Sequence, residues 1–123
     1  MKRIALGGEI PGLPISEGIA VDDFIFCAGQ VGDKSNGEIA GSDIESQTSV
    51  AIDNLFNLIE NAGCQRTNID SITIFLTDRN NFNGMNKVYT SKIKKPYPAR
   101  TTVIVAGLVN PKHLIEISAI AHK

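Results

Sequence analysis

The stretch KPYPARTTVIVAGLVNPKHLIEISAIA, Lys95 to Ala121, holds two β-rich runs, Thr101 to Ala106 and Leu114 to Ala121, separated by the turn signal Asn110-Pro111. Arg100 stands where a Pro-x-Pro loop becomes the first run. A guanidinium fixed at the start of a strand by two prolines has little freedom and offers a planar fork to a carboxylate or phosphate. It is the first candidate for a binding residue. In the second run the two-residue period of a strand puts Glu116, Ser118 and Ile120 on one face and Ile115, Ile117 and Ala119 on the other.

Working outward, SITIFLTD, Ser71 to Asp78, is a further strand by its β-branched and aromatic content, and a helix carrying Phe82, Met85, Val88, Tyr89 and Ile93 starts near Asn80 or Asn81 and closes in lysines. Before it, Ile44, Thr48, Ala51, Ile52, Leu55, Leu58, Ile59 and Ala62 recur at three- and four-residue steps, so an amphipathic helix buries one stripe and stops at Gly63. Ser42 and Glu45 predict a capping box at its start. FIFCAGQV, Phe24 to Val31, reads as a strand covered on both faces; short strands at Ile4 to Leu6 and Gly18 to Val21 flank a Gly/Pro-rich loop. The order is β-β-β-α-β-α-β-β over a single domain, residues 1–123: an α+β fold with one sheet and two helices on one face. Phe24, Phe26, Ala28, Ile104, Ala106 and Ile120 then make the other face too apolar for water, and self-association is the simplest way to cover it.

Composition narrows the function. The chain has 123 residues, 12 basic against 13 acidic side chains and a net charge of -1, so no global field recruits nucleic acid or an anionic membrane. SKIKKPYPAR is the one basic cluster, and aromatics make up 6 % of residues, too few for the stacking platform of an RNA site; endoribonuclease action is a minor alternative. No apolar run approaches the ~20 residues of a membrane span, and MKRIALGG lacks the apolar core of a signal peptide, so a cytoplasmic address is expected. Cys27 and Cys64 lack ligand or disulfide spacing and read as buried thiols. His113 and His122 lack the spacing of a metal site or a triad and read as surface residues. No metal is expected.

Four segments together resemble a known family, the reactive intermediate deaminases, also called YjgF or Rid proteins and described as endoribonuclease L-PSP-like. They are Cys27-Ala28-Gly29-Gln30-Val31, the helix end Asn61-Ala62-Gly63, Tyr97-Pro98-Ala99-Arg100-Thr101 with Leu108, and Ile115-Glu116-Ile117-Ser118-Ala119-Ile120-Ala121. The resemblance covers the chain almost end to end. It implies a chorismate-mutase-like fold assembled as a homotrimer with a barrel-like centre. Clefts between subunits would let the arginine matched by Arg100 grip the carboxylate of a small enamine or imine, such as 2-aminoacrylate, which is hydrolysed without a cofactor to a keto acid and ammonia.

The backbone around Ala28-Gly29 and Thr102 would complete the binding site, with Tyr97 beside the arginine. The family has a tyrosine where Ile15 stands, a serine at Ala28, a cysteine at Thr102, and a proposed water-activating glutamate at Ser118. A neutral hydroxyl is no general base unaided, which makes Glu116 the substitute carboxylate and Ser118 a candidate to position water; Glu17 is a further acid. A deaminase-type hydrolase is therefore the leading expectation, and a non-catalytic trimer that binds small carboxylates is the alternative.

Overall fold

The computed structural model describes residues 1–123. Six strands, β1 (Arg3–Glu9), β2 (Ser16–Val21), β3 (Phe24–Val31), β4 (Ile69–Leu76), β5 (Ala99–Ile104) and β6 (Ile115–His122), form one sheet in the order β1-β2-β3-β6-β4-β5. Helix α1 (Ile44–Asn61) links β3 to β4, and α2 (Phe82–Lys92) links β4 to β5. The β4–β5 pair is parallel, and β6 is antiparallel to both its neighbours, β3 and β4. The chain thus makes two helical crossovers and then returns its last strand to the middle of the sheet. The β-β-β-α-β-α-β-β order expected from periodicity is the order observed.

The core lies between the helices and one face of the sheet. α1 turns Ala51, Ile52, Leu55 and Ile59 onto Ile25, Ile117 and Ala121, Ile72 and Ile74 of β4 join the same cluster, all fully or nearly fully buried, and α2 adds Met85 and Tyr89. Along β6 burial alternates residue by residue, with Ile115, Ile117, Ala119 and Ala121 inside. Each such isoleucine contributes about 1.5–3 kcal/mol of transfer free energy on burial.

Helix α1 begins one residue later than expected. Asp43, in extended backbone, is the N-cap, and its carboxylate accepts from the Ser46 N–H at 2.9 Å, so the Ser42–Glu45 capping box does not form. A charged acceptor at the positive end of the helix outcompetes the serine hydroxyl. The C-terminus closes as a Schellman motif: Gly63 at φ 91° donates to the Glu60 carbonyl at 3.0 Å, and Cys64 donates to that of Ile59 at 2.9 Å.

Three further expectations are corrected. His113 is buried, with Nε2 2.7 Å from Asp33 Oδ1; only His122, 2.7 Å from Asp70, is half exposed. β3 is covered on one face only, because Phe24 and Phe26 remain 51 % and 45 % exposed on the side opposite the helices. Ile104 pairs with the buried Leu76, so it points to the helix side and Val103 takes the open face. Polar locks hold the loops: Gln47, fully buried, donates through Nε2 to the carbonyls of Gly41 (2.8 Å) and Lys112 (3.0 Å), and its Oε1 accepts from the Leu114 N–H (2.8 Å).

Candidate active site

Register decides what each candidate residue can meet. Arg100 is level with Ile72 and Thr102 with Ile74, both buried under the helices, so Arg100 and Thr102 point to the helix side at the sheet's edge. Ser118 is level with Thr73, and Glu116 with Phe75, on the open face. Arg100 and the Ser118–Glu116 pair therefore lie on opposite faces of one sheet, and a single chain does not bring them together.

The arginine's surroundings are aromatic. Its guanidinium carbon lies 4.7 Å from the Tyr89 ring centroid and 5.8 Å from that of Phe82, both on α2. It makes no ion pair, and no aligned hydrogen bond runs from its side chain to a protein acceptor, although the Tyr89 phenol lies close enough to feel both its charge and its N–H groups. It borders a cavity of about 320 Å³ lined by Asn86, Tyr89, Thr90, Tyr97, Pro98 and Arg100. Tyr97 is half exposed at its mouth, with Lys95 Nζ 6.0 Å from its ring. Burial raises the Tyr89 phenol above its usual range, and the neighbouring Arg100 charge opposes that rise. A positive charge with no internal counter-ion at the wall of a cavity suits an incoming anion.

A β-bulge shapes the open face. Between Cys27 and Gln30 the register of β3 against β6 slips, so Ala28 and Gly29 together stand opposite Ser118. A Cβ built on Gly29 would fall 2.5 Å from Glu116 Oε2, so the Glu116 side chain occupies the space that any larger residue at position 29 would need. A hollow of about 160 Å³ is floored by Ser118, Thr73, Ser71, Phe26 and Ile120. Ser118 thus has two hydroxyl neighbours that sequence reasoning missed, because they belong to β4, 45 or more residues away.

A larger cavity of about 510 Å³ opens at the β1–β3 end, lined by Glu17, Ala28, Gly29, Gln30 and the amides Asn54, Asn57 and Asn61 among others. Glu17 and the Ala28-Gly29 bulge therefore share a wall. Ile15, 43 % exposed just before β2, lines none of these three hollows. Cys27 is no nucleophile here: burial pushes its thiol up to about 12, with Cys64 as a lesser cause. No group of three or more His, Cys, Asp and Glu side chains is assembled for a metal ion, and no helix is long and apolar enough to cross a membrane.

A sheet of this topology carrying two helices on one face, an unpaired arginine at its edge and a carboxylate over a glycine bulge defines an α+β protein with the parts of a small-anion site. The sequence profile of the family described as Endoribonuclease L-PSP matches residues 10–123, and the chain belongs to this family, the YjgF/Rid proteins. It is similar to a RutC family protein of Pyrococcus abyssi, 42 % identical over 89 % of this chain and 87 % of that one. It is also similar to the human 2-iminobutanoate/2-iminopropanoate deaminase, 33 % identical over 98 % of this chain and 90 % of that one. The structure of the Rid-family protein YyfA of Yersinia pestis superposes with a TM-score of 0.92 at 29 % identity, covering 99 % of this chain and all of that one.

Proposed function

We propose that the protein is a cofactor-free deaminase of small enamines and imines that carry a carboxylate, acting in clefts formed between copies of the chain. The observation that carries this reading is Arg100: a guanidinium 4.7 Å and 5.8 Å from two aromatic ring centroids at a cavity wall, with no counter-ion of its own. Relatives named 2-iminobutanoate/2-iminopropanoate deaminase support the reaction class.

In this mechanism Arg100 holds the substrate carboxylate bidentately and fixes the adjacent C=N carbon. An enamine first takes a proton at its β carbon to become the protonated imine; water adds to the C=N carbon of that ion and gives one proton to Glu116, which sits over Gly29. The hydroxyls of Ser118 and Thr73 and the backbone at Ala28-Gly29 orient the water. In the collapse of the tetrahedral amino alcohol the amine takes the proton back from Glu116, and the C–N bond breaks as the hydroxyl gives its proton to the regenerated Glu116 carboxylate and C=O forms. Ammonia leaves a keto acid behind, Glu116 finally passing that proton to the ammonia or to water. Because Arg100 and Glu116 occupy opposite faces of their own sheet, a second copy must supply one of them. The open face, with exposed Phe24 and Phe26, is the surface assigned to that association, in a homotrimer.

The test is to generate 2-aminoacrylate with a serine dehydratase and follow pyruvate release. Acceleration by the protein that disappears in Arg100→Ala supports the reading, and no acceleration at stoichiometric protein sinks it. Ser118 favours a second reading, a non-catalytic binder of small carboxylates. If the wild type is inert yet stabilised thermally by pyruvate, and Ser118→Glu acquires imine hydrolysis, that second reading holds.

A further inference from the structure

Two buried side-chain polar atoms have no hydrogen-bond partner, Thr48 Oγ1 and Tyr89 Oη. Thr48 lies in the core-facing stripe of α1, whereas Tyr89 lines the Arg100 cavity. Tyr89 is 5 % exposed, so its hydroxyl does not gain from bulk water what it lacks in protein partners. An orphaned buried hydroxyl is costly and uncommon. Its ring lies 4.7 Å from the Arg100 guanidinium, and although no aligned hydrogen bond joins the two, the arginine's charge and N–H groups are close enough to act on the phenol oxygen. A guanidinium fork and a phenol, whose O–H has no acceptor, thus belong to neighbouring residues in the wall of one cavity. What the arrangement lacks is a group with several lone pairs and a negative charge, and a carboxylate, with about four acceptor sites, answers to that description.

We propose that Tyr89 is the second donor of the carboxylate subsite, its hydroxyl hydrogen-bonding the same carboxylate that Arg100 grips. The inference rests on the reading of Arg100 as the substrate anchor and extends it. The phenol is protonated at neutral pH, so it is a donor throughout the working range. Its ring also packs against the guanidinium, with the Phe82 ring 5.8 Å away, and the two rings restrict the fork's motion. Such a subsite prefers a carboxylate over an uncharged amide of the same shape, since the amide's NH₂ would face donors and find no acceptor.

The experiment measures pyruvate binding by calorimetry to the wild type, Arg100→Ala and Tyr89→Phe, with pyruvamide as the uncharged probe and the melting temperature of each unliganded protein alongside. Tyr89→Phe is expected to weaken pyruvate binding roughly tenfold or more, as loss of a hydrogen bond to a charged group does, and to leave pyruvamide binding unchanged. Its melting temperature should equal or exceed that of the wild type, because the substitution removes an unsatisfied hydroxyl and keeps the ring. Wild-type pyruvate affinity in Tyr89→Phe, with binding lost in Arg100→Ala, overturns the role of Tyr89 and leaves the anchor standing. A lower melting temperature in Tyr89→Phe, or equal weakening of both probes, marks a structural residue and also overturns it. Undiminished binding in Arg100→Ala removes the anchor and this inference with it.

Discussion

At the residue scale the fold leaves a few charges and thiols in particular states. Arg100→Ala should reduce kcat/KM for 2-aminoacrylate by about 10²–10³-fold, the size of losing one arm of a desolvated charge pair. Arg100→Lys should fall between, since it keeps the charge and loses the fork; pyruvate-release kinetics check both. Cys27, raised to about 12 by burial, and Cys64, also raised chiefly by burial, should resist iodoacetamide in the native protein at pH 8 and react only after denaturation, as read by mass spectrometry. Asp43 is held below its ordinary value of 3.8, first by its hydrogen bond from the Ser46 backbone. A depressed carboxylate stabilises the fold above its unfolded pKa and loses that contribution as pH falls through the folded one. The melting-temperature deficit of Asp43→Ala should therefore be present at pH 7 and shrink as the pH drops below about 4. A deficit that grows on acidification would contradict the capping role.

At the scale of elements, β6 and the bulge in β3 carry both packing and site. Ile117→Ala should cost about 2–5 kcal/mol in denaturant unfolding, because its side chain is fully buried at the centre of the sheet. Gly29→Ala should do the reverse: stability close to the wild type, with activity sharply reduced as the new methyl displaces Glu116. Gln47→Ala should destabilise by about 1–3 kcal/mol by stranding the Gly41 and Lys112 carbonyls and the Leu114 N–H. Element type and order were legible because they rest on local periodicity: the 3.6-residue stripe of α1 and the alternation of β6 survive in the linear chain. The span of β3, Phe24 to Val31, was legible to the residue. The bulge at Ala28-Gly29 was not, since it is a property of β3 against β6 and their partners lie some 90 positions apart. His113 looked like a surface residue for the same reason: its partner, Asp33, stands 80 positions away and only the fold brings the two together.

At the scale of the whole molecule, the two faces of the sheet present different groups. Alternation showed that Glu116 and Ser118 share a side of β6, and the Pro-bounded start of β5 singled out Arg100. Neither could show that the two strands present these residues in opposite directions, because that depends on β6 lying between β3 and β4 with β5 outermost. A replacement such as Phe26→Asp on the open face should convert the assembly to monomers, seen by light scattering, and abolish deamination with it, since each chain would keep half a cleft. The most direct test of a shared cleft is complementation. Arg100→Ala and Glu116→Gln, each inactive alone, are mixed in equal amounts, unfolded and refolded together, and assayed for pyruvate release from 2-aminoacrylate. Random assortment in a cyclic oligomer gives about a quarter of the clefts both intact halves, so the mixture should recover about a quarter of wild-type activity. A mixture as inactive as its parents would contradict the account.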